Sequence, residues 1–243
     1  MANPDPNIER LKERAWQEVA AIDQALVEGQ IDEDGWHEAM ASLVKPAYLA
    51  AENPYAQAGH GCDAATWESS RGFIAEAMHR SGTFLDVGCA SGILMESVRR
   101  WGAGKNLDIK PYGLDIVPEF VELARRRLPH WADRIYLGNI RMWQPAGGRF
   151  DFVLIRPEYA PAGRRADMVG HVINRVLKPG GRLLVFVGTE EVRLRSAEAG
   201  ITDHGFVVHG RVEVPHPKDC RVVRRLFWIE SSCIWVHAEK DQI

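Results

Sequence analysis

Apolar and polar positions change rhythm once along the chain. Over residues 7–28 the apolar side chains Ile8, Leu11, Ala15, Val19, Ile22 and Leu26 recur at steps of three and four, which gathers them on one face of a helix. The Asn3-Pro4-Asp5-Pro6 stretch ahead of them and Gly29 behind supply start and stop signals. A second helix is expected from near Asp32, carrying Trp36, Met40 and Leu43, with Pro46 kinking or ending it. The run 52–63 is rich in turn residues and reads as a loop. Asp63 can cap a third helix over 64–80, with Trp67, Ile74 and Met78 on its inner face.

After Gly82 short apolar runs begin to alternate with helical spacing. Strands are expected over 83–87, 112–116, 134–138, 150–156 and 182–188, with helices over 92–101, 118–128 and 163–177 between them. The turn Lys178-Pro179-Gly180-Gly181 leads into the strand at 182. A helix near 190–200 and strands near 206–214 and 226–237 close the chain. Such alternation predicts an α/β fold, a mostly parallel sheet with helices on both faces. The near-continuous apolar runs Phe152-Val153-Leu154-Ile155 and Leu183-Leu184-Val185-Phe186-Val187 suit strands covered on both faces. The division that follows is an N-terminal helical lid or appendage over 1–80, expected to pack over the carboxyl edge of the sheet, and one α/β domain over 81–243.

Charge supports that division. The whole chain of 243 residues is nearly balanced, at −3. Residues 1–80 hold 6 basic against 14 acidic residues, a net of −8, while 81–243 hold 24 against 19, a net of +5. A general nucleic-acid binder shows a strong basic excess, which this chain lacks. The four cysteines, Cys62, Cys89, Cys220 and Cys233, include no C-x-x-C pair, so zinc and dithiol chemistry find no support and free thiols are expected. The N-terminus has no basic and apolar leader, and no run approaches about 18 apolar residues. A cytoplasmic protein with no membrane span is the expectation.

The chemistry concentrates where the first strand meets its helix, at Leu85-Asp86-Val87-Gly88-Cys89-Ala90-Ser91-Gly92. A dinucleotide fingerprint would place a third glycine where this chain has Ile93, and the Asp86 carboxylate would repel a pyrophosphate. It suits a ligand with a cationic or hydrogen-bond-donating group. The second strand ends in Gly113-Leu114-Asp115-Ile116, and a carboxylate there can accept two hydroxyl hydrogen bonds.

Together these segments resemble class I S-adenosylmethionine-dependent methyltransferases. The 86–92 run is similar to that family's D/E-x-G-x-G-x-G motif, with Ala90 in place of its middle glycine. Asp115 matches its ribose-binding acid, and the fourth strand and Leu177–Leu183 match its later landmarks. The resemblance covers about 81–237. It implies a Rossmann-like seven-stranded sheet in the order 3-2-1-4-5-7-6, last strand antiparallel, and S-adenosyl-L-methionine as cofactor. The cofactor residues it implies are Asp86, Gly88, Cys89, Ala90, Gly92, Asp115 and Ile116. Asn139 and Ile140 stand where the family often has Gly-Asp-Ala; the Asn139 carbonyl oxygen can still accept from the adenine amino group. The 29-residue step from Asp86 to Asp115 is long for the family and is assigned to a surface loop over 102–111.

The fourth strand ends in Ile155-Arg156-Pro157-Glu158-Tyr159, which matches neither the Asn-Pro-Pro-Tyr of nucleic-acid amino-methylases nor the carboxylate set of metal-dependent catechol O-methyltransferases. Glu158 and Tyr159 lie where ligands bind in open α/β sheets. With His60 they are the candidate catalytic residues, and Arg156 joins the cofactor set. Tyr55 is a candidate cap on the cofactor, or else a loop tyrosine packed on the domain. His37 and His171 are further histidines of interest, and the arginines at 125–127, 164–165 and 224–225 are expected as solvated faces. No metal is expected. The reading is methylation of a small-molecule N, O or C nucleophile, with a homodimer through the N-terminal helices open. The alternatives are an RNA or protein acceptor, or cofactor binding without transfer.

Overall fold

The structure, a computed structural model, describes residues 6–59, 63–190, 198–215 and 222–231. Its strands are β1 (Gly82–Val87), β2 (Ile109–Asp115), β3 (Ile135–Leu137), β4 (Phe150–Ile155), β5 (Leu177–Glu190), β6 (Gly210–Pro215) and β7 (Val222–Glu230). They form one sheet in the order β3-β2-β1-β4-β5-β7-β6, as expected. The pairings from β3 to β5 are parallel, and β7 runs antiparallel to both β5 and β6. Pairing of β4 with β5 jumps from Phe150↔Leu177 to Phe152↔Arg182, so Lys178–Gly181 bulges out as the expected turn.

The helices are α1 (Pro6–Val27), α2 (Glu33–Ala50), α3 (Ala64–Arg71), α4 (Ile93–Gly104), α5 (Pro118–Arg127) and α6 (Arg165–His171). Side chains alternate across each strand, so one sheet serves two cores. Val153, Ile155, Leu183 and Val185 pack with Met168 and Val169 of α6 and with Val172 just after it on one face. Phe84, Phe152, Leu154 and Leu184 pack on the other with Trp67, Ile74, Leu94 and Val98. Trp67 donates its indole N–H to Ser97 Oγ at 2.9 Å, which locks α3 to α4.

Four local expectations change. Pro46 lies inside α2 instead of ending it. Its missing N–H leaves the Ser42 carbonyl without a helical partner, but both residues are exposed, so water can serve that carbonyl. The third helix stops at Arg71, and Gly72–Ala77 continues as a tighter 3-10 coil. The surface loop assigned to 102–111 is mostly regular structure: α4 runs to Gly104 and β2 starts at Ile109, which is buried. Pro111 is tolerated in β2 because β3 reaches only Gly113, leaving β2 an edge strand on that side at Pro111. Finally, Arg224 and Arg225 are buried at 3% and 7% exposure. Arg225 pairs with Glu198 at 2.8 Å and Glu213 at 2.5 Å. Arg125 donates to the Ile135 carbonyl at 2.6 Å and Arg127 to the Ser91 carbonyl at 2.6 Å, so these arginines tie elements together as well as facing water. Among the described residues no helix is long and apolar enough to cross a membrane.

Gly113 shows how tightly the sheet centre is filled. A Cβ there would lie 2.8 Å from Cys89 Sγ and 2.9 Å from Met95 Sδ. Gly113→Ala should therefore destabilise the protein by about 1–3 kcal/mol, the usual cost of overpacking. Chemical denaturation should show a lower midpoint with an unchanged slope.

Candidate active site

The carboxyl ends of β1, β2 and β4 meet beneath α2 and enclose a cavity of about 400 Å³. Its floor begins with the turn after β1. Gly88, Ala90 and Gly92 all have positive φ, of 68°, 44° and 73°. At 88 the glycine is obligatory on a second ground, because a Cβ there would collide with the Tyr159 hydroxyl. Ala90 adopts the same left-handed region despite its methyl group, a conformation costly for any residue but glycine. The turn is laced to β2: Gly88 N–H donates to the Leu114 carbonyl at 2.7 Å, and Ala90 N–H donates to Asp115 Oδ2 at 2.9 Å.

Asp115 ends β2 with both oxygens engaged by backbone. Oδ1 accepts from Val117 N–H at 3.0 Å while Oδ2 holds the turn. Each oxygen keeps a lone pair for a further donor, and the residue lines the cavity. Burial pushes its carboxyl up to about 6, against the pull of the backbone N–H groups of Val117, Ala90 and Ile116. Asp86 is pushed well above the carboxylate range, first by burial and then by Asp115, with Arg71 offsetting part of it. Burial also raises the Cys89 thiol well above its usual range, so Cys89 is no thiolate nucleophile.

The end of β4 adds a polar cluster. Arg156 Nη2 donates to Glu158 Oε1 at 3.2 Å, and Glu158 Oε2 has no hydrogen-bond partner among the described residues. Burial would raise the Glu158 carboxyl, but Arg156, a backbone N–H and Arg165 together outweigh it and the net shift is downward. Burial raises the Tyr159 phenol well above its usual range. The loop after β3 contributes Asn139, whose Oδ1 already accepts from Arg141 N–H at 3.0 Å, leaving one lone pair.

The roof is α2, which puts Trp36, His37, Met40, Val44 and Tyr48 against the cavity. Asp32 caps it by accepting from Gly35 N–H at 2.9 Å. Glu33 pairs with Arg141 at 2.9 Å and Lys45 with Glu119 at 3.0 Å, pinning both helix ends to the domain. Tyr48 stacks on Phe120 of α5, ring centroids 5.4 Å apart. A helical lid over the carboxyl edge was expected, but with Tyr55 and His60 as its contacts, and the part played by α2 was not. Its apolar stripe is indistinguishable from one facing a solid core.

The sequence candidates therefore divide. Gly88, Asp115, Ile116, Asn139, Ile140, Arg156, Glu158 and Tyr159 all line the large cavity. Asp86 and Cys89 line a smaller one of about 60 Å³ beside it, together with Gly88, Arg156 and Tyr159. Ala90 and Gly92 shape the turn from behind. Tyr55 packs on Trp67, centroids 5.7 Å apart, away from the large cavity. Its loop nevertheless reaches the turn, since Ser91 Oγ donates to the Pro54 carbonyl at 2.7 Å. His60 lies outside the described residues, as do Cys62, Cys220 and Cys233. His171 Nε2 sits 2.9 Å from the Trp143 carbonyl, a structural contact.

Residues 84–181 match a family profile described as a methyltransferase domain. That stretch, from β1 into β5, reads as a methyltransferase domain and carries the turn and strand ends that border the cavity. The N-methyltransferase NodS from Bradyrhizobium japonicum WM9, solved with S-adenosyl-L-homocysteine, has a similar fold. Its TM-score is 0.52 at 14% identity, over 78% of this chain and 97% of its own. The PH0226 protein from Pyrococcus horikoshii OT3 gives 0.50 at 14% identity, over 68% and 89%. At such identities the likeness is one of fold alone. No curated protein matches the sequence significantly.

The Asp115 shift sets a pH dependence for the methyltransferase. With its carboxyl near 6, the free protein favours the protonated form, so this group's contribution to stability falls as pH rises from 3.8 to about 6. A hydroxyl-bearing ligand favours the carboxylate instead. Affinity for S-adenosylhomocysteine should rise with pH through about 6, and be about tenfold weaker at pH 5 than at pH 8, where the group is fully ionised. Calorimetric titration across pH 5–8 reads this directly.

Proposed function

We propose that this enzyme methylates a small-molecule N, O or C nucleophile, without a metal, in the cavity under α2. The observation that carries the reading is a half-open cavity with α2 lying over one side of it. The roof residues Trp36, Met40 and Val44 face Arg156, Glu158 and Tyr159 across a space of about 400 Å³, within the range of small-molecule sites. A long polymer would need an open groove, whereas here a helix lies across the strand ends. At the end of β4 the donor set Arg156, Glu158, Tyr159 offers a single carboxylate, a poor set for a divalent cation.

The residues fit the cofactor's chemistry. Asp115 presents lone pairs for the ribose hydroxyls, Ile116, Val117 and Ile140 offer apolar surface for adenine, and Gly88 lets backbone approach closely. When bound, S-adenosylmethionine supplies a methyl group on a cationic sulfur, and the bonding pair stays on sulfur as the methyl leaves. The chain's own task is alignment and exclusion of water, which the apolar α2 residues over the site would serve. Glu158 stays ionised through Arg156 and Tyr159 stays protonated. Neither is tuned near neutrality as a strong general base would be, so they orient the acceptor, one accepting its N–H or O–H and the other donating.

Asp115→Ala should weaken S-adenosylhomocysteine binding by about 1.5–3 kcal/mol, the range for hydrogen bonds to a charged group. Unchanged affinity by calorimetry would remove the ribose assignment. Deleting residues 1–50 should leave a folded domain that binds cofactor weakly and no longer turns over an acceptor drawn from a metabolite extract. A truncated protein with full turnover and only an altered oligomeric state would show the roof to be a dimerisation arm.

A further inference from the structure

A hydroxyl that accepts a methyl group and keeps its proton becomes an oxonium, so O-methylation needs a base at the acceptor. Glu158 and Tyr159 are not tuned for that part, since one is held below its usual range and the other well above it. The roof supplies another group. His37 of α2 is the one imidazole among the described residues that line the large cavity.

Its setting is that of an oriented base. His37 is 8% exposed, and its ring meets that of Trp36 edge to face, centroids 5.0 Å apart. Its Nε2 is buried without a hydrogen-bond partner among the described residues and lies 3.7 Å from Glu33 Oε1, one helical turn back. Such contacts are often long before a ligand is bound and tighten in the complex. Glu33 is itself clamped from outside the helix. Arg141 of the loop after β3 pairs with Oε1 at 2.9 Å, and Arg164, just ahead of α6, comes within 4.0 Å of Oε2. An Nε2–H turned to this fixed carboxylate leaves the lone pair on Nδ1, the other nitrogen of a ring that borders the cavity. Burial holds the imidazole below its usual value and Arg141 adds to that, against the pull of Glu33 and Asp34, so the ring is neutral at pH 7. Asp23 of α1 is engaged by the Trp36 indole. Across the cavity stand Asp115, Tyr159 and the Arg156–Glu158 pair.

We propose that His37 is the acceptor-side base for a hydroxyl-bearing small molecule, with Nδ1 taking the hydroxyl proton as the methyl arrives and Glu33 orienting the ring. The inference rests on the reading of the cavity as a small-molecule methylation site and narrows it to O-methylation. An oxygen lone pair forms the bond to the methyl carbon, and the carbon–sulfur bond breaks with its pair going to sulfur. The O–H pair stays on oxygen while the proton passes to Nδ1. Positive charge thus leaves sulfur and appears on the imidazole, beside the Glu33 carboxylate, and the proton returns to water through the open side of the cavity.

The test gives the full-length chain saturating S-adenosylmethionine, labelled in its methyl group, with a small-molecule metabolite extract. Label entering the extract is followed from pH 5 to 8; saturation removes the effect of Asp115 on cofactor affinity. The labelled product should be a methyl ether, and the wild-type rate should fall on acidification with a midpoint below 6.5. His37→Gln should lose about a hundredfold or more, as removal of a general base implies, and its residual rate should show no acid limb. His37→Ala should lose as much and regain about tenfold or more with added imidazole. Glu33→Gln should move the wild-type midpoint further down, because Glu33 favours the imidazolium. S-adenosylhomocysteine affinity within about twofold of wild type certifies that each variant is folded. An unchanged rate in His37→Gln, or a slow variant that keeps the wild-type acid limb and ignores imidazole, would overturn the assignment and leave His37 a packing residue. A product methylated on nitrogen or carbon would overturn it as well. No labelled small molecule from the wild-type chain would instead overturn the small-molecule reading itself.

Discussion

The site depends on one buried carboxylate. Asp115 closes β2 and reaches across to the turn after β1, where it accepts the Ala90 N–H, and forward to the start of α5, where it accepts the Val117 N–H. A carboxylate taken out of water is costly unless such donors meet it. Here they come from two elements that no local interaction would bring together. Satisfying Asp115 therefore fixes the spacing of the β1 turn, the β2 end and α5. It also leaves the remaining lone pairs facing the cavity. The second acid, Asp86, lies within the field of the first and finds its counter-charge in Arg71, outside the sheet domain.

The roof is held on a different principle. Its two anchoring ion pairs, Glu33–Arg141 and Lys45–Glu119, join partly exposed groups, and such pairs contribute little each. The firmer contacts are the Tyr48–Phe120 stack and the Trp36 indole, which donates to Asp23 of α1 at 2.8 Å. The α1–α2 pair is thus bonded within itself through Trp36 and Asp23, and to the domain beneath chiefly through the Tyr48–Phe120 stack.

Much of the fold was legible because its signals are local. The apolar runs at 152–155 and 183–187 mark strands buried on both faces, and Asp86, Gly88 and Asp115 fall at strand ends where backbone and carboxylate must meet a ligand. What escaped the sequence was relational. Met40 and Val44 look like core residues until the space beneath them is seen. Arg71 sits among polar neighbours and carries no motif, and its place beside Asp86 and over the Trp67 and Phe186 rings appears only in the fold. The stretch 102–111 was misread because Gly102, Gly104 and Pro111 are turn residues elsewhere. Here Gly102 makes room for Ile109, and Pro111 uses an unpaired strand edge. Tyr55 was a reasonable aromatic cap by position, yet Trp67 offers it a closer partner.

The central claim is that ligand recognition runs through the Asp115 carboxylate beneath the α2 roof. Crystals of the full chain grown with S-adenosylhomocysteine test it most directly. The account predicts the ribose hydroxyls within hydrogen-bond distance of Asp115 and adenine between Val117 and Ile140. A ligand bound elsewhere, or bound with Asp115 still contacting only Ala90 and Val117, would contradict it.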